Sequence, residues 1–200
     1  MLTFAVMTPE RTERLTNVLA KRQPELTIVL ENVSDPHNIS AVMRTCDAVG
    51  VQDVYILNTK IDLHEMWSAK TSSSAAKWLT VHQFTNAEEC FAAIRKNFSK
   101  IYTTHLSTDA VDLYELDLTE PVALVFGNEH SGVSEEIIEM ADGNFIIPQV
   151  GIIKSLNISV ACAVSLYEAY RQKKIAGHFD NVKLTPTAFN DLKSQWGFID

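Results

Sequence analysis

Leu124-Val-Phe-Gly-Asn-Glu-His-Ser-Gly132 decides the fold, because an apolar run turns abruptly into Gly and polar residues. A continuous apolar run bounded in this way is typical of a buried strand in a parallel sheet. In α/β sheets the ligand-binding residues collect at the carboxyl ends of the strands. The stretch therefore predicts a strand over 122–126 and, after it, either an ordinary turn or a binding loop. In a binding loop Gly127 would allow close approach to the backbone and Glu129 would accept hydrogen bonds.

A second segment, Asn38-Ile-Ser-Ala-Val-Met-Arg44, follows a polar loop that leaves the strand-like run 26–30. Apolar residues at helical spacing predict a helix over this segment, with Asn38 as its N-cap. Arg44 falls off the apolar stripe, and His37 is the one histidine beside a candidate site. Arg44 is either part of a site near the carboxyl end of the strand or an ordinary surface arginine.

The third segment, Ile146-Ile-Pro-Gln-Val-Gly-Ile-Ile-Lys-Ser-Leu-Asn-Ile-Ser159, joins a strand-like run to a long apolar helix. Ser155, Asn157 and Ser159 cluster where that helix begins, and free peptide N–H groups are expected there too. A helix cap needs only one such side chain. The surplus favours a ligand site over a simple cap.

The rest of the chain alternates between strand-like and helix-like stretches. Further strands are predicted at 54–57, 78–84, 101–104 and 145–147, most of them as continuous apolar runs. Helix signals lie between them, and Thr8-Pro9-Glu10 starts another helix near the N-terminus. This order predicts a single α/β domain built on a parallel sheet, with a helical extension at each end.

Bulk composition narrows the classes of protein that fit. The chain has 200 residues, 46% of them hydrophobic and 21% charged, which suits one globular domain with a substantial core. No apolar run approaches the ~18 residues of a membrane span, and the apolar N-terminus is too short for a signal sequence. The cysteines, Cys46, Cys90 and Cys162, are scattered and show no zinc spacing. We therefore expect buried thiols, no metal site and a cytoplasmic protein.

Charge is distributed unevenly along the chain. The formal net charge of −8 is unfavourable for RNA binding, which needs Lys and Arg at phosphates. Basic residues nevertheless concentrate near both ends, at Arg11, Arg14, Lys21 and Arg22, and again at Arg171, Lys173 and Lys174. These groups are either nucleic-acid contacts or the solvated faces of two helices.

In this order and at these separations, the three segments resemble the motifs of the SpoU/TrmH branch of the SPOUT RNA methyltransferases. The similarity extends through 12–49, where Lys-Arg-Gln-Pro-Glu-Leu at 21–26 and Asp-Pro-His-Asn at 35–38 resemble the TrmH subfamily. Members of that subfamily methylate the ribose 2′-hydroxyl of the guanosine at position 18 in the tRNA D-loop. The basic ends of the chain match the subfamily as well.

The resemblance implies a fold and a set of partners. It implies a SPOUT domain over 25–174 with a deep C-terminal trefoil knot at roughly 120–174, and helical extensions over 1–24 and 175–200. It also implies S-adenosyl-L-methionine as cofactor, tRNA as substrate and a homodimer.

The resemblance further assigns roles to single residues. The residues around the reacting groups would be Asn38, Arg44, Glu129, Ser155 and Asn157. Largely through backbone groups, the cofactor would be held by Thr104, Gly127, Ile146, Ile147 and Leu156. The tRNA would contact Arg11, Arg14, Lys21, Arg22, His37, Arg171 and Lys174.

Arg44 has two candidate roles within this family. The family proposal makes it the base that takes the proton of the 2′-hydroxyl, primed by an RNA phosphate. A guanidinium stays protonated at neutral pH. A phosphate-anchored Arg44 that orients the hydroxyl and stabilises developing negative charge is therefore the easier role to defend.

Three alternatives remain open at this point. The same chemistry can act on ribosomal RNA or at another tRNA position. The fold can also serve a non-catalytic RNA-binding protein, although the retained Arg44, Glu129 and Asn157 argue against that. A nucleotide-binding oxidoreductase is disfavoured because no G-x-G-x-x-G follows a strand.

Overall fold

A parallel sheet forms the centre of the protein. The structure, a computed structural model, describes residues 7–62, 75–153 and 155–198. Its strands are β1 (Leu26–Glu31), β2 (Asp53–Leu57), β3 (Thr80–Phe84), β4 (Lys100–Thr104), β5 (Val111–Asp112), β6 (Val122–Phe126) and β7 (Gly143–Ile146). They lie in the order β3-β2-β1-β6-β4-β7-β5, and each neighbouring pair is parallel. The predicted α/β class with a parallel sheet is therefore confirmed.

Helices cover both faces of this sheet. They are α1 (Pro9–Leu19), α2 (Pro36–Val49), α3 (Ala87–Ile94), α4 (Glu135–Met140), α5 (Ile158–Ile175) and α6 (Pro186–Gln195). Successive strand residues point to opposite faces, so Ile28 packs in the core beneath α2 and α5 whereas Val29 packs beneath α3 and α4. Burial on both faces explains why the strands are continuous apolar runs rather than alternating ones.

The two ends of the chain meet beside the sheet. Leu19 of α1 packs with Leu192 of α6 and with Trp196, which follows α6, in a small hydrophobic cluster of their own. The ring of Trp196 also lies edge-on to the ring of Trp78, with 5.1 Å between centroids. The N- and C-terminal helices thus form one packed unit in the part of the chain that the structure describes.

Several element boundaries differ from the sequence prediction. Helix α2 begins at Pro36 and is capped by Asp35, whose side chain accepts a hydrogen bond from the His37 N–H at 2.8 Å, so the prediction that Asn38 is the cap is wrong. The strand predicted at 78–84 starts at Thr80, because 76–78 forms a turn of 3-10 helix. Strand β5 has no counterpart in the sequence prediction, and α6 lies within the helical extension predicted over 175–200, for which no helix bounds were given.

One crossing in the sheet is unusual. Strand β7 lies between β4 and β5, which are joined directly by the connection 105–110. Thr104 and Val111 both pair with Phe145 of β7, so this connection must cross β7 near its carboxyl end. The side-chain amide of Asn144 donates to Ser107 Oγ at 2.8 Å and ties the two segments together.

Three further observations concern the described residues only. Cys46, Cys90 and Cys162 are all buried and free, as predicted, and burial raises the pKa of each thiol. None of the helices in these ranges is long and apolar enough to cross a membrane. The same ranges contain no group of three or more His, Cys, Asp or Glu residues that could hold a metal ion.

Candidate active site

Side chains from all three sequence segments meet at the carboxyl edge of the sheet. The amide of Asn38 on α2 donates to Glu129 Oε1 at 2.8 Å, just beyond β6. The amide of Asn157, at the start of α5, donates to Asn38 Oδ1 at 3.1 Å. Asn38 therefore joins the other two segments, and the side chains of Glu129, Asn38 and Asn157 form one hydrogen-bonded cluster, called here the Asn38 cluster.

The start of each helix explains why these amides are available. Since Asp35 caps α2 and Pro36 needs no N–H partner, the Asn38 side chain is released from capping and can bridge both neighbours. Asn157 does cap its helix, because its Oδ1 accepts from Ser159 N at 2.9 Å and from Ser159 Oγ at 2.6 Å. Its amide group remains free to reach Asn38. A polar side chain at the start of α5 thus both caps its own helix and bonds to another segment.

The loop that carries Glu129 has a tightly determined shape. Asn128 Oδ1 accepts from His130 N and Ser131 N, at 2.9 and 3.2 Å, and the backbones of Asn128 and Gly132 exchange two hydrogen bonds. A Cβ atom on Gly127 would lie 2.2 Å from the backbone of Gly132, so only Gly fits there. Gly127 is therefore required by the return of its own loop.

The residues expected to hold the cofactor lie along the ends of three neighbouring strands. Thr104 ends β4 and donates to the Val125 carbonyl at 3.2 Å, Gly127 follows β6, and Ile146 ends β7. Ile147 is half-buried, whereas Leu156 is exposed. Beyond Ile147 the segment 148–153 has no helix or strand. Lys154 lies outside the described residues.

Arg44 stands apart from the Asn38 cluster. It is exposed in the third turn of α2, about 9 Å along the helix from Asn38. Within the described residues it makes no hydrogen bond or ion pair. His37, seven residues before Arg44, lies on the same helix face two turns away and is also exposed. The two side chains form a free face beside the cluster. Ser155 is exposed close by, two residues before the Asn157 cap.

The basic residues near the chain ends separate into surface and interior groups. Arg11, Arg14, Lys21, Arg171 and Lys174 are exposed, and Arg171 pairs with Glu168 at 2.7 Å. A cavity of about 710 Å³ opens at the amino edge of the sheet, between α1 and the last turns of α2 and α5. It is lined by Glu10, Glu13, Arg14, Asn17, Val18, Lys21, Arg22, Asp47, Ala48, Val49, Gly50, Tyr170, Lys174 and Phe179.

Arg22 is an interior residue, although its sequence context grouped it with the RNA contacts. Its side chain is 1% exposed, and its guanidinium donates to Asp47 Oδ1 at 2.6 Å and to the Val51 carbonyl at 3.2 Å. The guanidinium carbon also lies 5.0 Å from the centre of the Trp196 ring. Burial lowers the pKa of Arg22, and the opposing effect of Asp47 offsets this only in part. We therefore leave Arg22 out of any RNA surface.

Lys173 is a second buried cation, at the far end of α5. It is fully buried, donates to the Thr119 carbonyl at 2.8 Å and lies 4.0 Å from Glu25. Burial lowers its pKa to about 8, and the attraction of Glu25 only partly offsets that effect. Its amine therefore anchors α5 to the segment before β6.

Two residues of the site escaped the sequence prediction. Glu31 ends β1 and Asn32 follows it, and both bond to the Glu129 loop, with Ser134 N donating to Glu31 Oε2 at 2.9 Å and Asn128 Nδ2 donating to the Asn32 carbonyl at 2.9 Å. The available signal was the one used for Gly127 and Glu129, a polar pair directly after a buried apolar run.

Comparison with known proteins places this geometry in a family. Residues 25–167, which hold all three segments, match the sequence model of the SpoU rRNA Methylase family. The chain belongs to this family. A tRNA (guanosine(18)-2′-O)-methyltransferase of Thermus thermophilus is a SpoU-family relative, 41% identical over 189 residues, which cover 94% of this chain and 96% of the relative.

Solved structures of RNA-modifying enzymes agree with the fold. The TrmH/SpoU tRNA modifying enzyme of A. aeolicus is 36% identical and superposes with a TM-score of 0.84, over 93% of this chain and 94% of the other. An AdoMet-bound rRNA methyltransferase from Sinorhizobium meliloti is 28% identical with a TM-score of 0.66, over 76% of this chain and 59% of the other.

Proposed function

We propose that this protein transfers a methyl group from S-adenosyl-L-methionine to the ribose 2′-hydroxyl of the guanosine at position 18 of tRNA. The observation that carries the proposal is the Asn38 cluster, because it unites three family motifs at one sheet edge. The relative that spans nearly the whole chain at 41% identity acts on that nucleoside by name, which supports the substrate.

The residues present fit the cofactor. S-adenosyl-L-methionine, when bound, supplies a methyl group already activated on a sulfonium. Its adenosine needs peptide donors and acceptors beside apolar side chains, and the carboxyl ends of β4, β6 and β7 offer both next to Ile146, Ile147 and Leu156. The residues that would hold it are Thr104, Gly127, Ile146, Ile147 and Leu156.

Arg44 and His37 act on the RNA in this proposal. Their side chains share an exposed face of α2, where a guanidinium can hold a phosphate by two parallel hydrogen bonds. An anchored Arg44 orients the ribose hydroxyl and stabilises the negative charge that grows on its oxygen while this oxygen takes the methyl group and its proton passes to solvent. The Asn38 cluster, with Ser155 beside it, fixes the opposite wall of the site.

The tRNA backbone is contacted by the exposed basic residues near the chain ends. Arg14, Lys21 and Lys174 share one cavity, and Arg11 and Arg171 are exposed on the same two helices. We propose that 25–174 is the methyltransferase domain, that 1–24 and 175–200 are its extensions, and that the tRNA contacts lie in 1–24 and at Arg171 and Lys174, where the domain ends. Affinity for tRNA should therefore fall steeply between low and moderate salt, and a flat response contradicts this role.

We also propose a homodimer and a knotted C-terminal region. Val150 and Ile152 are almost fully exposed, and Val160 and Tyr167 are exposed on one face of α5, two helical turns apart. An apolar surface of this kind is typical of an interface, and the family resemblance supports a second copy as its partner. The crossing of β7 by 105–110 supports the trefoil knot. A cytoplasmic location follows from the tRNA substrate.

One experiment tests the function and separates it from its nearest alternative. Purified protein is incubated with labelled methyl donor and unmodified tRNA or ribosomal RNA, and the modified nucleotide is mapped. We expect 2′-O-methylguanosine at tRNA position 18, and severe loss of transfer in Arg44→Ala and Arg44→Lys. Methylation of ribosomal RNA alone supports the alternative, which the S. meliloti relative favours. Transfer at the wild-type rate by Arg44→Ala overturns the proposed role of Arg44.

A further inference from the structure

We propose that Glu31 and Asn32 are positioning residues for methyl transfer, which act by holding the loop 127–134 and, through it, Glu129. The inference rests on the proposed function for its kinetic consequence. Its structural part, that these two residues immobilise the loop, is independent of any activity.

Asn32 joins the ends of three strands. It is the one non-glycine residue with positive φ (51°) in the described ranges, a conformation that Asn tolerates better than most residues. Its N–H donates to the Leu57 carbonyl at 2.8 Å, and its side chain bonds to Thr59 Oγ1 at 3.0 Å and Lys60 N at 2.8 Å. Its own carbonyl accepts from Asn128. The strained backbone thus lets a single residue connect β1, β2 and β6.

Glu31 holds the other end of the same loop. Its side chain is 1% exposed, and Oε2 accepts from the backbone N–H of Ser134, the residue that precedes α4. Its Oε1 accepts from the Asn32 amide at 3.4 Å. Burying a carboxylate is unfavourable unless its oxygens accept hydrogen bonds. Both oxygens of Glu31 do so, and one of these bonds holds Ser134.

The loop 127–134 is therefore held near both ends, and its middle, which carries Glu129, faces the site. Asn128 is held by the Asn32 carbonyl and Ser134 by Glu31. Glu129 lies between these two anchors and reaches Asn38. Because a shift of about 1 Å in a positioning group can cost ~100-fold in rate, loosening either anchor should lower kcat while leaving affinity for tRNA almost unchanged.

The test compares Glu31→Gln with a matched buried control, Thr27→Val. Thr27 is fully buried in the same strand and donates across to the Asp53 carbonyl at 2.6 Å, at the opposite end of the sheet. Hydrogen exchange of amides 128–134 is measured first. We expect faster exchange in Glu31→Gln and wild-type exchange in Thr27→Val. Equal exchange in all three proteins overturns the anchoring.

Kinetics then distinguish positioning from general destabilisation. We expect kcat on tRNA to fall about tenfold or more in Glu31→Gln with KM within about twofold. Asn32→Gly keeps the positive φ and the carbonyl that accepts from Asn128, but it loses the side-chain bonds to Thr59 and Lys60 that fix this carbonyl, so its kcat should fall less than that of Glu31→Gln. In a Glu129→Gln background the further loss from Glu31→Gln should shrink to about twofold or less, since both changes act through one group. Full additivity overturns the proposal. A wild-type protein inactive on tRNA overturns the proposed function instead and leaves the exchange result standing.

Discussion

Asn38→Asp should disable the site while leaving the fold intact. The substitution exchanges an amide nitrogen for an oxygen 2.8 Å from Glu129 Oε1, and it keeps the oxygen that accepts from Asn157. A hydrogen bond to a charged acceptor, worth roughly 1.5–3 kcal/mol, is lost. Two like charges at this distance repel by about 1.5 kcal/mol even in a water-like dielectric. After allowance for solvent exposure, a net of about 3 kcal/mol corresponds to a rate loss on the order of 100-fold.

The double variant Asn38→Asp, Glu129→Gln supplies the decisive comparison. The amide introduced at position 129 can donate to the carboxylate introduced at position 38, so the hydrogen bond returns with its direction reversed. Single-turnover methyl transfer to tRNA is measured for wild type, both single variants and the double variant, with unfolding midpoints as a check on the fold. We expect the double variant to be no slower than Glu129→Gln alone. If Asn38→Asp reduces the rate equally in both backgrounds, the bond between these residues does not matter to the reaction.

Three further outcomes follow from the same structure. Gly127→Ala puts a methyl group 2.2 Å from the returning loop, so calorimetry should show lost cofactor binding and unfolding about 2 kcal/mol easier, whereas Gly151→Ala, with open space around it, should leave the free energy of unfolding unchanged. Arg22→Met removes a buried guanidinium from its pair with the partly exposed Asp47 and should cost about 2 kcal/mol in urea unfolding, as expected for a lost hydrogen bond between charged groups; a change below about 0.5 kcal/mol contradicts that role. Folding lowers the pKa of Lys173 from 10.5 to about 8. Between pH 8 and pH 10.5 the lysine is therefore protonated in the unfolded chain and neutral in the folded protein. The free energy of unfolding, measured relative to Lys173→Met, should rise with pH across that range by about 3 kcal/mol in total. A pH-independent difference between the two proteins refutes the burial argument.

The strands were predictable because a strand buried on both faces of a sheet needs a continuous run of apolar residues. The order of the strands was not, since nothing in a run such as Val122–Phe126 specifies its neighbours. The polar residues at the carboxyl edge were found by the same logic that found the strands. Their mutual contacts were not, because the Asp35-Pro36 start signal places the helix cap three residues earlier and changes what Asn38 does.

Charge was the least reliable guide. Arg22 belongs to a basic stretch, and a basic stretch predicts a surface. Its burial depends on Asp47 and on Trp196, which stands near the other end of the chain. Helix α6 could have been predicted, because Thr185-Pro186 repeats the Thr8-Pro9 start signal. The contacts of Arg22 with Asp47 and Trp196, in contrast, join residues far apart in sequence and produce no local pattern.

The packing of α6 on α1 makes the last turns of the chain a cover for a buried charge. Trp196 shields the Arg22 guanidinium, and Leu192 closes over Leu19. A protease that trimmed the protein before α6 would therefore do more than shorten a tail. It would expose the Arg22 guanidinium to water, uncover an apolar strip on α1 and alter the wall of the neighbouring cavity. Loss of the C-terminal helix would therefore destabilise the packing of the N-terminal helix, and the trimmed protein would aggregate or be degraded more readily.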